Sequence, residues 1–432
     1  MSINTDPIYV RRRRLALAVT VIAILVVVLG VSRCSDGDTE GSSGASGTEG
    51  SSRSSTAETT SESSPKPTQP TKVETPAPKE SPAQKQGKKA DPAESTPVRV
   101  QRITADKLTP KSVVASDKGQ IFAQNMMYSH TMSVFTADGA LQKTLDDSVE
   151  LADFGVKGHP GTSQGAPVEM AFSPGGDTAW VSQYSMYGDN FLPEGADACT
   201  SGEGISNSYL YKIDTKTLEV TDVVEVGAVP KYVAVSPDGK KVLVTNWCTM
   251  DLSVIDAKTA KVTDTIELGG AHPRGIAVSP DSATAYVALM GDDRTVEVDL
   301  DKGTVEDFTS TGDGPRHLLV SPDGKKLYVS NNGGGTVSEV DTSSGEVTRE
   351  VTVGNQPRSM AMSPDGGAIY VGNYGSNTMS KIRTKDFTVT HTKDVDALPI
   401  GITYEPTKKR VWVASYGGSI VVFDDSRTAA SQ

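Results

Sequence analysis

A repeat of about 42 residues runs through the C-terminal three quarters of the chain. Ser-Pro pairs begin at Ser173, Ser236, Ser279, Ser321 and Ser363, Glu405 takes the next equivalent place, and the last four intervals are 43, 42, 42 and 42 residues. Within each copy, short runs rich in Val, Leu and Tyr alternate with turn residues, a pattern typical of four β-strands. Four-stranded units of this length stacked in series predict an all-β fold, a β-propeller.

A second marker gives the number of blades. A proline precedes the first strand of every unit, at Pro110, Pro167, Pro230, Pro273, Pro315, Pro357 and Pro399, which predicts seven blades. The seventh unit ends after three strands, and an open strand edge is a liability. The segment at 97–105, "PVRVQRITA", has the pattern of a strand. We therefore expect it to complete blade seven and close the ring.

The N-terminal quarter has a different composition. Arg11 to Arg14 are followed by 17 uncharged residues at 15–31, which predicts a transmembrane signal-anchor helix with residues 1–14 in the cytoplasm. A cleaved secretory signal is the alternative, and Arg33 occupies the place where lipidation of Cys34 would require a small residue. Residues 32–96 are rich in Ser, Gly and Pro, so we expect a disordered linker. The propeller, residues 97–432, would then be the extracytoplasmic part of a single-pass cell-membrane protein.

Charge limits the classes of partner. Residues 98–432 contain 30 Lys and Arg against 43 Asp and Glu. An acidic body of this kind repels polyanions, so general binding to nucleic acid is not expected.

A local basic ring is nevertheless predicted at one end of the channel. The residues that follow the seven prolines are Lys111, Val168, Lys231, Arg274, Arg316, Arg358 and Ile400. Five of them are cationic and occupy equivalent places at the start of the innermost strand. Such a ring would attract a phosphate, a carboxylated glycan or a teichoic-type polymer. The alternative is that arginine at this repeat position only covers apolar surface with its stem.

Other candidate residues fall on the same face. His130, His159, His272 and His317 belong to different blades without the spacing of metal ligands, so no metal or other cofactor is predicted. Trp247 and Tyr374 could stack on sugar rings or pack loops together. Blade two contains a long insertion beginning at Tyr184, and Cys199 within it is predicted to pair with Cys248 of blade three, because both would lie outside the membrane.

The units resemble the YVTN (Tyr-Val-Thr-Asn) β-propeller repeats of bacterial surface-layer and secreted proteins. The signature reads "VLVTN" at 242–246, "LYVSN" at 327–331 and "IYVGN" at 369–373. Related seven-bladed propellers include lactonases of the 6-phosphogluconolactonase type. The resemblance is specific for the fold, whereas propellers serve as enzymes, scaffolds and receptors. With the predicted anchor and linker, we expect a binding or scaffold module of the cell envelope that recognises a polymer or protein at the channel mouth. A lactonase-like hydrolase using the same face and a structural surface-layer subunit are the alternatives.

Overall fold

The structure, a computed structural model, describes residues 91–427. Within these residues the chain forms seven four-stranded antiparallel sheets. The first strand, β1 (Val98–Ile103), precedes the blades. Blade one then runs from the axis outward as β2 (Ser112–Ala115), β3 (Gln120–Asn125), β4 (Thr131–Thr136) and β5 (Leu141–Asp146). A small hairpin follows, made of β6 (Ser148–Glu150) and β7 (Thr162–Gln164), with a short 3₁₀ helix, Leu151–Phe154, between its strands.

The next three blades repeat the same order from inside to outside. Blade two contains β8 (Pro167–Phe172), β9 (Thr178–Gln183), β10 (Ser208–Asp214) and β11 (Glu219–Val226). Blade three contains β12 (Pro230–Val235), β13 (Lys241–Asn246), β14 (Asp251–Asp256) and β15 (Lys261–Glu267). Blade four contains β16 (Pro273–Val278), β17 (Thr284–Leu289), β18 (Arg294–Asp299) and β19 (Thr304–Thr309).

The last three blades complete the ring. Blade five contains β20 (Pro315–Val320), β21 (Lys326–Asn331), β22 (Thr336–Asp341) and β23 (Val347–Thr352). Blade six contains β24 (Pro357–Met362), β25 (Ala368–Asn373), β26 (Thr378–Arg383) and β27 (Thr388–Asp394). Blade seven contains β28 (Pro399–Glu405), β29 (Arg410–Ser415) and β30 (Ser419–Asp424). Each innermost strand contacts that of the next blade, and β2 contacts β28, so the predicted seven-bladed ring is confirmed.

The predicted closing strand is also confirmed. β1 pairs antiparallel with β30, with Val98 opposite Asp424 and Ile103 opposite Ile420, and it forms the outermost strand of blade seven. Residues 91–96 pack on the propeller as well, because the Thr96 amide donates to the Arg427 carbonyl at 2.9 Å and Ser95 is fully buried. The first and last strands of the propeller therefore pair within one sheet, which gives blade seven its fourth strand.

In blades three, five and six a Ser-Pro-Asp-Gly segment builds the turn between the first two strands, at the end of the blade opposite to the proline. In blade three the Ser236 hydroxyl donates to the Asp238 carboxylate at 2.7 Å, and the Lys241 amide donates back to that hydroxyl at 3.0 Å. These bonds satisfy polar groups where the first strand ends and the second begins. The apolar faces of each sheet pack against the next blade. Leu243 and Val254 of blade three, for example, share one core with Ile276 and Val287 of blade four.

Two excursions leave the regular pattern on the same side of blade two. The insertion at 184–207 joins β9 to β10, as the sequence indicates. The β6–β7 hairpin, which was not predicted from the sequence, lies against the insertion. Gln164 of the hairpin and Tyr187 of the insertion exchange backbone hydrogen bonds at 2.8 Å. Leu151, Met186 and Tyr211 are buried together between them. The insertion is thus supported by a second, separately encoded segment.

The predictions for the N-terminal region fall outside the described residues. They concern the cytoplasmic residues 1–14, the transmembrane segment 15–31, Cys34 and the linker as far as residue 90. Within 91–427, the structure contains no helix with the length and apolar character needed to span a bilayer.

Candidate functional site

The five cations that follow the prolines meet around the propeller axis. Each stands at or just before the start of an innermost strand, and these strands form the wall of the channel. Lys111, Lys231 and Arg274 are only 5 to 6% exposed, while Arg316 and Arg358 are partly buried. Their charges act on one another: burial and the neighbouring Arg274 lower the pKa of Lys111 well below its usual value. Burial and Arg274 also lower the pKa of Lys231, to about 8.

Two carboxylates neutralise one part of this cationic ring. Glu169, on the innermost strand of blade two, lies 3.9 Å from the Lys111 ammonium and 3.5 Å from the Arg274 guanidinium. Asp197, in the insertion, accepts a hydrogen bond from the Lys231 ammonium at 2.6 Å. Neither acid was among the site residues predicted from the sequence. Glu169 was detectable as the one acid in its repeat position, whereas nothing in the sequence indicates which cation Asp197 would reach.

The other part of the ring has no such partner. Among residues 91–427, no carboxylate forms an ion pair with Arg316 or Arg358, which stand on the adjacent blades five and six. The Nε atom of each is buried and lacks a hydrogen-bond partner within the same residues. Burial, followed by the charge of Arg274, lowers the pKa of Arg316 well below its usual value. We refer to Arg316 and Arg358 as the unpaired arginines.

Two tyrosines border the unpaired arginines. The Arg358 guanidinium lies 3.6 Å from the centre of the Tyr374 ring, and Tyr374 meets Tyr416 edge to face at 6.0 Å between ring centres. Burial raises the pKa of Tyr416 to about 12 although three arginines act in the opposite direction. Its hydroxyl therefore keeps its proton at neutral pH and can donate a hydrogen bond to a ligand.

A cavity of about 480 Å³ continues along the axis beyond the cations. The innermost strands of all seven blades line it, and Glu169, Tyr232 and His317 contribute its polar side chains with Ser112 and Ser359. The Tyr232 hydroxyl is 3.1 Å from His317 Nε2. Burial, with Arg274 and Arg316 nearby, lowers the pKa of His317 to about 3, so the imidazole is neutral at pH 7. The channel thus combines fixed positive charge with neutral hydrogen-bonding groups.

The close approach of the innermost strands depends on two glycines. A Cβ at Gly275 would stand 2.5 Å from the Arg316 carbonyl oxygen, and one at Gly401 would stand 2.8 Å from Ser112 Cα. Both contacts involve backbone atoms that cannot rotate away. Any side chain at either position would push two neighbouring blades apart.

The predicted disulfide is present, and it fixes the insertion over the ring. Cys199 and Cys248 are bonded, with 5.6 Å between their Cα atoms. Trp247 Nε1 donates to the Asp197 carbonyl at 3.1 Å, and His272 Nε2 lies 2.8 Å from the Cys199 carbonyl oxygen. The two rings stack at 4.5 Å. Of the two roles that the sequence leaves open for Trp247, the structure therefore supports packing of loops.

The remaining histidines lie apart from the ring. His130 stacks on Tyr187 at 5.1 Å, and His159 stacks on Phe191 at 3.9 Å. Within residues 91–427, no group of three or more His, Cys, Asp or Glu side chains is arranged to hold a metal ion. Of the predicted site residues, Lys231, Arg274, Arg316, Arg358, His317 and Tyr374 surround the axis, whereas His272 and Trp247 hold the insertion.

Comparison with known proteins agrees with the seven-bladed propeller fold. A family model described as "Lactonase, 7-bladed beta-propeller" matches residues 198–349. The hydrazine synthase of Kuenenia stuttgartiensis superposes with a TM-score of 0.58 at 17% identity, over 76% of this chain and 97% of that one. Virginiamycin B lyase from Staphylococcus aureus gives a TM-score of 0.57 at 15% identity, over 75% and 98%. No curated protein matches the chain. At these identities the solved structures establish the fold alone.

Proposed function

We propose that the channel mouth is a binding site for an anionic group, held by the unpaired arginines Arg316 and Arg358. The observation that carries this proposal is the uneven distribution of acid around the ring. Glu169 and Asp197 pair with Lys111, Arg274 and Lys231, whereas no carboxylate of the described residues forms an ion pair with Arg316 or Arg358.

Burial of an unpaired cation is unfavourable, since the charge loses hydration without gaining a counter-ion. An anionic ligand would remove this cost. Carboxylate and phosphate oxygens match the planar fork of arginine and form strong charge-assisted hydrogen bonds with it. Tyr416 and Tyr374 would border the bound group, the first as a donor and the second behind Arg358.

The physiological ligand would be an acidic group of a cell-envelope polymer or protein. This part of the proposal rests on the sequence: the apolar segment at 15–31 and the Ser/Gly/Pro-rich linker would tether the propeller outside the membrane. The cationic ring would bind phosphate or carboxylate groups there. The protein would act as an anchored binding module.

Calorimetric titration of the full-length protein with inorganic phosphate and with gluconate tests the site. We expect saturable binding by the native protein and a loss of about tenfold or more in affinity for Arg316→Ala/Arg358→Ala. The matched control is Lys240→Ala/Lys325→Ala, which removes the same charge from exposed residues of the Ser-Pro-Asp-Gly turns. Equal affinity of the two double variants would exclude the unpaired arginines as the site.

A second function, hydrolysis of a lactone that carries an acidic group, is favoured by one contact. Glu169 is a carboxylate held 3.5 Å from Arg274 at the entrance of the axial cavity. Glu169 could remove a proton from a water molecule as the water attacks the ring carbonyl, while Arg274 stabilises the oxyanion. The bond between the carbonyl carbon and the ring oxygen would then break, and Glu169 would return its proton to that oxygen. The match to the lactonase model supports this alternative, and the matched residues 198–349 contain Arg274 but not Glu169.

Hydrolysis is tested with 1,4- and 1,5-lactones of acidic sugars, followed by proton release at constant pH. A lactonase would lose about 100-fold or more in kcat with Glu169→Gln, while phosphate binding would persist. Absence of lactone hydrolysis by the native protein, together with phosphate binding, would leave the binding function alone.

A further inference from the structure

A second cleft, of about 790 Å³, lies on the outer half of blade two, separate from the axial channel. Its floor is made by Tyr209 of β10 and Glu225 of β11, which stand directly opposite each other in the sheet. Its walls come from the two excursions: His159 belongs to the β6–β7 hairpin and Phe191 to the insertion. Three segments distant in sequence therefore converge on one concave surface.

One wall of the cleft is aromatic. The rings of His159 and Phe191 stack at 3.9 Å between centres, and the His159 Nδ1 atom lies 3.0 Å from the Asp189 carbonyl oxygen. Phe191 also meets Tyr209 edge to face at 6.3 Å. These contacts hold Phe191 in place although it belongs to a long loop. A ring fixed in this way presents an apolar surface at little entropic cost.

The opposite side is polar and offers both donors and acceptors. Asn207 Nδ2 donates to Glu225 Oε1 at 3.1 Å, which leaves the second Glu225 oxygen and the Asn207 carbonyl oxygen as acceptors. Lys157 is exposed at the rim and can donate. Burial raises the pKa of Tyr209 to about 12, so its hydroxyl is protonated at neutral pH.

We propose that this cleft binds a neutral saccharide, with one sugar ring against Phe191 and its hydroxyls bonded to Glu225, Asn207 and Tyr209. Saccharide rings combine an apolar C–H face with hydroxyls that donate and accept, which is the combination that the two sides of the cleft offer. The Glu225 carboxylate disfavours an anion, and this separates the site from the cationic ring. The cleft opens at the end of blade two where β8 begins, so it shares a face with the channel mouth.

Binding is tested by saturation-transfer NMR and calorimetry with chitotetraose, cellotetraose and maltotetraose. The full-length protein is kept in a detergent without a sugar headgroup, because a glycosidic headgroup would compete. We expect at least one tetrasaccharide to bind, and Phe191→Ala to weaken it about tenfold. Glu225→Gln, an exposed residue whose change leaves the core intact, should weaken it several-fold, roughly by the value of one charge-assisted hydrogen bond.

Two control variants separate this site from others. Tyr128→Ala removes an aromatic ring that is 89% exposed outside the cleft, and it should bind the saccharide as the native protein does. Arg316→Ala/Arg358→Ala should do so too, while losing phosphate. If the native protein binds none of the three tetrasaccharides, or if both Phe191→Ala and Glu225→Gln bind normally, the saccharide site is refuted. Neither result would bear on the anion site.

Discussion

The Lys381 ammonium donates hydrogen bonds to both carboxylate oxygens of Asp425, at 2.9 and 3.0 Å, and both side chains are fully buried. Lys381 lies on β26 of blade six, and Asp425 follows the last strand of blade seven. The same ammonium donates to the carbonyl and hydroxyl oxygens of Ser95, at 2.8 and 2.7 Å. Tyr370 also donates its hydroxyl proton to Asp425. One buried charge pair therefore joins blade six to the segments that precede the first strand and follow the last strand of the propeller.

Lys381→Met is expected to lower the free energy of unfolding by about 3–5 kcal/mol, because Asp425 would remain buried without its counter-ion. Urea denaturation followed by far-UV circular dichroism measures the change. Lys118→Met is the control, since the pair between Lys118 and Asp177 is exposed to solvent on both sides. A midpoint for Lys381→Met equal to that of the control would contradict the role of the buried pair.

The contact between Asp147 and Gln183 is expected to make the stability of the propeller depend on pH. Gln183 Nε2 donates to Asp147 Oδ1 at 3.2 Å, while Gln183 Oε1 and Asp147 Oδ2 have no partner among the described residues. Both unpartnered oxygens lie beside Gly165, whose Cβ, if present, would stand 2.5 and 2.7 Å from them. A proton on Asp147 Oδ2 that is donated to Gln183 Oε1 would satisfy both atoms.

Burial raises the pKa of Asp147 well above its usual value, and the nearby Asp146 acts in the same direction, while the hydrogen bond from Gln183 opposes it. Since the folded-state pKa exceeds the unfolded one, this contribution to stability is complete below the unfolded pKa. It is lost as the pH rises toward the folded pKa. Asp147→Asn should remove this loss, so that its free energy of unfolding, relative to the native protein, increases from pH 4 to pH 8. Parallel pH profiles of the two proteins would show that Asp147 is ionised when folded.

Anion binding should weaken as the pH rises through 8. Lys231 has a pKa of about 8, lowered first by burial and then by Arg274, so its positive charge disappears above that pH. We expect phosphate affinity to fall by about threefold between pH 7.5 and pH 9, the effect of one charge lost near the site. Lys231→Met should bind more weakly at pH 7.5 and show a flatter profile. If the phosphate affinity of Lys231→Met falls with pH as steeply as that of the native protein, a group other than Lys231 causes the fall.

Loss of the disulfide should destabilise the propeller and release the insertion. Cys199 and Cys248 are 49 residues apart, and bridges that close loops of this size typically contribute about 2–4 kcal/mol. Cys248→Ser is therefore expected to lower the free energy of unfolding by that amount, as measured by urea denaturation. Phosphate affinity should change as well, because Asp197 would no longer be held against Lys231. Cys34→Ser, a change at the third cysteine of the chain, serves as the control and should match the native protein.

The repeat alone was sufficient to predict seven blades, their strand order and the closing strand. Each blade is built from contiguous residues, so its proline, its Ser-Pro turn and its alternating apolar positions all appear within about 42 residues. The equivalent place of Arg274, Arg316 and Arg358 in successive copies indicated a shared rim for the same reason. The cysteine pair was predictable because Cys199 and Cys248 lie in corresponding loops of adjacent blades.

Which side chains form ion pairs or hydrogen bonds with one another depends on the closed ring. Glu169 reaches Arg274, which is 105 residues away and two blades further on, and Lys381 reaches Ser95 across 286 residues. A repeat specifies contacts within a blade and with the next one. Glu169 and Arg274 meet because the blades turn around a common axis, and Lys381 meets Ser95 because the N-terminal strand completes blade seven. For this reason the sequence determined that cations would surround the axis, and the tertiary structure determined which of them have a counter-ion.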